Sequence, residues 1–345
     1  MPKRIVLIHP RSGVAGYSFW LCATIVQPYL NALVETDITP YHSSYTIYNR
    51  PNVVKIVVDD FFSFHIHRVY YGKDYVVWCD SACYDFPQRT HKSIMKQRTI
   101  MKNAWFIPVL ESEKRKIEEC GWGDRVLGVV PRAFNVIALN MAERELKEKA
   151  ECCGSIEKKY DFIAIGFMGG LDRKRFIMIH RIARRHPEWR FCVITNYPEF
   201  DKLPNVDRYS FGSISEVEKF KLILQSKYLI YPSMSEGFGM PVLEAMASGV
   251  PVIYNDAPSH NEFAIGLKVD YEKEYIETHS PVCTFKFRAP NEKKFEETMA
   301  YALENYDSRE YRQLSNKARY EAYKKFKPCI VARQLYDILK KRGWL

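Results

Sequence analysis

Residues 231–253 read Tyr-Pro-Ser-Met-Ser-Glu-Gly-Phe-Gly-Met-Pro-Val-Leu-Glu-Ala-Met-Ala-Ser-Gly-Val-Pro-Val-Ile. An apolar strand ending at Tyr231 runs into a loop with two glycines, then a short helix, then a second apolar strand. Pro241 suits the opening of that helix and Gly249 the left-handed position past its end. Gly237 and Gly239 let the backbone approach a ligand closely, and the helix turns its free N–H groups and positive dipole end toward the same loop. A sugar or a phosphate fits there. Glu236 and Glu244 can both stand at the mouth of one pocket, where carboxylates accept hydrogen bonds from hydroxyls.

The same strand–loop–helix alternation extends outward. Strands are predicted over 161–166, 190–195, 228–231 and 250–254, with helices over 174–185, 215–226 and 241–248. Ser215 followed by Glu218 forms a capping box, with Val217, Phe220 and Leu224 as the apolar stripe behind it. Toward the N-terminus, a strand at 4–8 leads through a glycine-containing turn (residues 10–16) into a helix from about Ser18. Further strands are expected at 53–58, 75–78, 105–108 and 126–131, with helices near 92–103 and 112–120. Strands alternating with helices predict parallel sheets. The pattern lapses between 139 and 159, which sets the expected organisation: an N-terminal domain over 1–150, a second over 151–325, and a terminal helix over 326–345 that packs back on the first.

The 345 residues suffice for two domains with separate cores, so an α/β chain of two doubly wound halves facing across a cleft is expected. No apolar run approaches the roughly 20 residues of a membrane span, and the opening stretch is too short for a signal peptide, which predicts a cytoplasmic protein. Nine cysteines lack the paired spacing of a zinc site and are expected reduced. The 51 basic against 41 acidic residues, a net charge of +10, favour phosphate-bearing partners.

Glu236 and Glu244 within this twenty-residue context resemble the signature of retaining, nucleotide-sugar-dependent glycosyltransferases, the glycogen-synthase-like and lipopolysaccharide-type family four (glycosyl transferases group 1). The likeness continues in Ile163–Lys174, similar to a strand and loop carrying cations for a donor diphosphate. It continues too in Gly212–Glu216, similar to a base-binding turn, and in Pro258–Glu262. It spans nearly the whole chain and is dense over about 160–265. It implies the GT-B fold, with a nucleotide diphosphate sugar (UDP- or GDP-sugar) held by the C-terminal domain and a hydroxyl acceptor, a glycan or a lipid- or protein-linked sugar, by the N-terminal one. No cofactor and no metal are implied.

Carried over by position, Glu244 binds ribose hydroxyls, Glu236 contacts the transferred sugar, and the backbone of Gly237, Phe238, Gly239, Met240 and Pro241 holds sugar and phosphate. Lys174 and Arg173 neutralise the leaving diphosphate. Ile214 lies near the base, and Gly13 and Gly16 bring a first-domain loop over the phosphates. Two positions depart from the family pattern. Phe167 stands where the family usually has an Arg, so Arg173 or Arg11 supplies that charge; and Trp78-Cys79-Asp80 stands where many members carry a His, leaving Asp80 as an acceptor-side group or a turn cap.

Competing readings follow from the same residues. A glycosidase would also use two carboxylates, but needs no diphosphate cradle. The departures motivate an inactive nucleotide-sugar-binding protein as the alternative. The basic run at 89–102 reads either as a solvated face or as a peripheral contact with an anionic inner-membrane surface; no nucleic-acid motif accompanies it. His65 and His67 share a strand face but lack a third ligand.

Overall fold

The computed structural model describes residues 3–9, 13–40, 53–59, 74–79, 102–149, 155–169, 171–280 and 283–345. By contacts the chain divides into two units. One comprises Met1–Ala133, Ile276–Lys286 and Phe326–Leu345; the other comprises Phe134–Tyr275 and Phe287–Lys325.

The first unit carries β1 (Arg4–His9), β2 (Thr36–Pro40), β3 (Val53–Asp59), β4 (Tyr75–Cys79) and β5 (Ala104–Pro108), paired in the order β2-β1-β3-β4-β5. Every pairing is parallel. Ile5, Leu7, Ile56, Val76 and Val77 are fully buried, as expected of strands covered on both faces, whose sequences are continuous apolar runs. Helix Gly13–Asn31 packs on β1, β2 and β3 and against helix Pro328–Lys341. Arg132 is fully buried, its guanidinium 4.6 Å from the Trp78 ring and 5.5 Å from Phe19, while Trp78 Nε1 donates to Val130 O at 2.8 Å.

The second unit is built on β6 (Tyr160–Ile165), β7 (Phe191–Ile194), β8 (Val206–Tyr209), β9 (Ser226–Tyr231), β10 (Val252–Asn255) and β11 (Gly266–Val269). They pair in parallel in the order β11-β10-β9-β6-β7-β8. The chain steps outward from β6 through β7 to β8, then returns to lay β9 on the other side of β6. That reversal, between β6 and β9, is a topological switch point, and open α/β sheets bind ligands beyond the carboxyl ends of the strands that flank one. The two loops that leave those ends, 166–175 and 232–239, are the ones the sequence singles out. An aromatic cluster supports the sheet: the Phe162 ring lies 5.4 Å from Trp189, 5.5 Å from Phe191 and 6.4 Å from Tyr228. Lys158 enters β6 with its ammonium bonded to the carbonyls of Leu224 at 2.7 Å and Ser226 at 2.9 Å, although burial pushes its pKa down to about 8.

Several local readings hold. Glu218 N donates to Ser215 Oγ at 3.1 Å, which caps helix Glu216–Leu224. Gly249 has φ +68°, closing helix Met240–Ala247. Others need correction. The first helix begins at Gly13, so Gly13 and Gly16 lie within its opening turns and not in a turn ahead of it. No strand forms over 126–131; only Val126 makes an isolated bridge, to Phe106. Helix Val136–Glu148 packs on Glu216–Leu224 and groups with the second unit, not with the N-terminal residues 1–150; helix Pro328–Lys341 needs no such change, since it groups with the first. The hairpin β12 (Tyr271–Ser280) and β13 (Cys283–Pro290) has no counterpart in the sequence reading.

Phe162→Ala empties the centre of the aromatic cluster and should destabilise the protein by about 3–5 kcal/mol, measured by denaturant unfolding.

Candidate active site

The β6 loop is shaped by Asp172, whose two carboxylate oxygens accept from Phe176 N at 2.7 Å and Ile177 N at 3.1 Å and so cap helix Phe176–Arg185. Arg175, between cap and helix, takes the left-handed conformation at φ 61°, uncommon for a residue with a side chain. Met168 is held at the other end of the loop by the Asn196 amide, through bonds of 2.6 and 2.9 Å. Arg173 O accepts from Met234 N at 2.9 Å, joining this loop to the one that follows β9.

The β9 loop is buried almost throughout, and its polar groups are satisfied from neighbouring segments. Asn255 Nδ2 donates to Ser233 O at 3.1 Å, Glu236 N donates to Pro258 O at 2.8 Å, and Ser259 Oγ donates to Glu236 O at 2.9 Å. The 236 carboxylate, on a residue only 5% exposed, is the meeting point. Lys174 Nζ and Ser233 Oγ donate to Oε1, the latter at 2.6 Å, and Arg173 lies 3.0 Å from Oε2. Arg173 also donates to Ser235 O, and Lys174 donates to the Tyr231 hydroxyl at 3.1 Å.

Burial alone would push the Glu236 carboxyl up, but Arg173 and then Lys174 outweigh it and hold the group well below the usual carboxylate range. Burial brings Lys174 down to about 8, opposed by Glu236, so the ammonium is still charged at neutral pH. Burial raises the Tyr231 phenol well above its ordinary value and keeps it neutral. Two cations against one carboxylate leave this cluster net positive. The N–H groups of Gly237 and Gly239 have no acceptor among the described residues, so the glycine loop adds donors to a cationic site.

Glu244, 3% exposed, belongs to a second cluster. Lys219 Nζ bridges it to Glu216, at 2.8 Å from Glu244 Oε1 and 2.8 Å from Glu216 Oε1. This cluster has one cation between two carboxylates and is net negative. The two Glu residues that the motif pairs by spacing thus have different partners: Glu236 pairs with Arg173 and Lys174, Glu244 with Lys219.

Gly239, at φ +100°, closes the loop directly over His260; a Cβ there would lie 2.9 Å from His260 Cβ. His260 is fully buried, its Nε2 paired with Asn255 O at 3.0 Å, and burial lowers its pKa to about 4. Nε2 therefore carries the proton of a neutral ring, and Nδ1 is an acceptor with no partner among the described residues.

Of the residues expected from sequence, Arg173, Lys174, Glu236, Gly237 and Gly239 come together. Met240 and Pro241 open the helix beside them, one residue earlier than expected. Phe238 stacks on Phe263 at 4.7 Å and is buried as core, leaving its backbone to line the loop. Ile214 is half-buried in the turn before Ser215. Phe167 makes an edge contact with Phe211 at 5.9 Å, and the guanidinium beside Glu236 is that of Arg173. Asp80, Arg11, residues 89–101, His65 and His67 lie outside the described residues. Among the described residues no group of three His, Cys, Asp or Glu could hold a metal ion, and no helix is long and apolar enough to cross a membrane. Sequence reasoning missed Tyr231, Ser233, Asn255, His260 and Lys219. Only His260 had a signal, its place in the Pro258–Glu262 loop.

Two parallel, doubly wound α/β units with this site at the carboxyl edge of the second define the GT-B fold, and comparison with solved structures bears this out. An Anabaena protein, Alr3699/HepE in complex with UDP and glucose, aligns over 98% of this chain and 100% of its own at a TM-score of 0.66 and 11% identity. A glycosyltransferase from Rickettsia africae ESF-5 aligns over 99% and 98% at a TM-score of 0.70 and 14% identity. Residues 179–321 match the family described as glycosyl transferases group 1. Among curated proteins, uncharacterized glycosyltransferase 335 of Sulfolobus islandicus rod-shaped virus 1 is 61% identical over 177 residues, 48% of this chain and 51% of its own. The chain spans between about half and two thirds of the length of the first curated relatives it matches.

Gly239→Ala combines a disfavoured backbone conformation with the His260 contact and should cost about 1–3 kcal/mol in thermal unfolding. Adding His260→Ala removes the contact but not the backbone strain, so the double variant should recover only part of the loss.

Proposed function

We propose that the protein is a glycosyltransferase that moves a sugar from a nucleotide diphosphate sugar to a hydroxyl acceptor, a glycan or a lipid- or protein-linked sugar. The observation that carries this reading is the pairing of opposite charge at the sheet reversal. A cationic cluster (Arg173, Lys174, Glu236) stands with free backbone N–H groups on one loop pair, and a net-negative cluster (Glu216, Lys219, Glu244) stands at the neighbouring helix starts. A nucleotide sugar has the complementary pattern, anionic at the diphosphate and rich in hydroxyl donors at the ribose and the sugar. UDP in the Anabaena neighbour supports a pyrimidine nucleotide as the first donor base to try, beside GDP.

In the structure Glu236 occupies Arg173 and Lys174, as a phosphate would. On donor binding the diphosphate takes over these cations, and the freed Glu236 accepts from hydroxyls of the transferred sugar. During transfer the bond from the anomeric carbon to the phosphate oxygen breaks and one to the acceptor oxygen forms. The acceptor proton passes to the departing phosphate. Negative charge gathers on the diphosphate as this proceeds, and the partly buried Lys174 and Arg173, fixed before the reaction, stabilise it most at that moment. Attack from the face the leaving group departs from keeps the configuration of the donor, so the enzyme is read as retaining. The counter-charge comes from the chain's own cations, which is why it is read as metal-independent.

Lys174→Met should lower turnover of the cognate sugar nucleotide by about 10²–10³-fold. Glu236→Gln removes the internal competitor of the diphosphate, so calorimetry should show UDP or GDP binding several-fold tighter than wild type while transfer falls. Absence of binding of either nucleotide to the wild type at millimolar concentration would overturn the reading, and the anomeric configuration of the product, read by NMR, tests retention.

A further inference from the structure

Lys219 has no part in the motif and stands on a different helix from Glu244, yet its ammonium is the group that touches the Glu244 carboxylate. It takes Oε1 at 2.8 Å; Oε2 has no partner among the described residues. The same ammonium lies 2.8 Å from Glu216 Oε1, and Glu216 Oε2 is buried without a hydrogen-bond partner. Both acids thus draw on one cation, and each turns an oxygen away from it.

We propose that Lys219 is a positioning residue for nucleoside recognition: it holds the Glu244 carboxylate ionised, with one oxygen free to accept from the vicinal hydroxyls of a ribose, while Glu216 competes for the same ammonium. This rests on the donor-site reading above.

The physical need for such a residue follows from burial. A carboxylate accepts from both hydroxyls of a diol, whereas a protonated carboxyl adds a donor of its own where the site must accept. Glu244 is buried deeply enough that desolvation pushes its carboxyl up to about 7, against the pull of Lys219 and with a further push from Glu216. Lys219 is buried as well, but Glu244 and Glu216 outweigh the desolvation and raise its pKa, so the ammonium stays charged. The other titratable group facing Glu244 is the neutral Tyr231 of β9. The remaining charges on the Lys219 helix are engaged elsewhere: Lys221 lies 2.6 Å from Glu145 and 3.3 Å from Glu218. Protonation of Glu244 is therefore governed by this triad. The sign follows. Diol recognition weakens as pH falls through the Glu244 value; removing Lys219 moves that loss to higher pH, and neutralising Glu216 moves it to lower pH.

The test compares binding of UDP and GDP with that of their 2′,3′-dideoxy counterparts between about pH 6 and 9, using the full-length wild type, Lys219→Met, Lys219→Arg and Glu216→Gln. The ratio of the two affinities isolates the diol, because phosphate ionisation and the Lys174 titration affect both members of a pair. For wild type the ratio should fall as the solution is acidified through about pH 7. Lys219→Met should lower the ratio about tenfold near neutrality and shift its midpoint up by about one pH unit. Lys219→Arg should keep the wild-type profile, and Glu216→Gln should shift the midpoint down. Circular dichroism identifies a Lys219→Met chain that fails to fold, in which case the Glu216→Gln shift decides. Profiles of Lys219→Met and Glu216→Gln that superimpose on wild type would overturn the assignment of Lys219. Equal wild-type affinity for nucleotide and dideoxynucleotide would overturn Glu244 as a diol reader and the assignment with it. Failure of the wild type to bind any of the four compounds would instead overturn the donor-site reading on which both rest.

Discussion

A carboxylate buried as deeply as that of Glu236 persists in ionised form only because two cations from another segment reach it. Desolvating a charge costs several kcal/mol unless partners and hydrogen bonds offset it. Here the partners come from the loop after β6 and the carboxylate from the loop after β9, strands that are neighbours in the sheet though Lys174 and Glu236 are 62 positions apart in the chain. The interaction is therefore possible only in the doubly wound order, in which β9 returns to the open side of β6. The remaining local structure serves it. Asp172 and the left-handed Arg175 turn present the cations; Ser233, Asn255, Pro258 and Ser259 hold the acid.

The same pairing balances charge within the site. Arg173 and Lys174 so close together would repel each other in a partly buried site, and Glu236 offsets that repulsion. On the proposed reading, donor binding is an exchange of one anion for another, not the filling of an unbalanced cationic hole. Glu216, Lys219 and Glu244 form the inverse, a pair of acids balanced around one ammonium. Phe167 stands where the family pattern has an arginine, and the guanidinium within 3.0 Å of Glu236 is that of Arg173, six residues on.

What the sequence made legible was local. The 231–253 stretch declares its strand, loop and helix because Gly239, Pro241 and Gly249 each meet a backbone requirement, and Ser215 with Glu218 marks a helix start in the same way. The cationic pair was singled out only through the family resemblance of Ile163–Lys174. Partnerships across the sheet were not legible. Lys219 looks like any surface lysine of an amphipathic helix until the fold sets Glu244 beside it, and His260 is recognisable only once Gly239 lies over it. Strand Val126–Pro131 failed for a related reason: of its apolar residues only Val130 is fully buried and only Val126 finds a ladder partner, and backbone pairing defines a strand. The helix at Gly13 began early because glycine is weakly helix-forming and gives no start signal when tertiary contacts of the following turns decide the boundary.

The central claim is that the donor diphosphate and Glu236 exchange places on Arg173 and Lys174. The most direct test is a crystal structure of the protein bound to an intact, slowly transferred UDP- or GDP-sugar analogue. The account predicts nitrogens of Arg173 and Lys174 within about 3 Å of phosphate oxygens and the Glu236 carboxylate on hydroxyls of the sugar. A complex in which both cations remain on Glu236 while the phosphates are held elsewhere would contradict it.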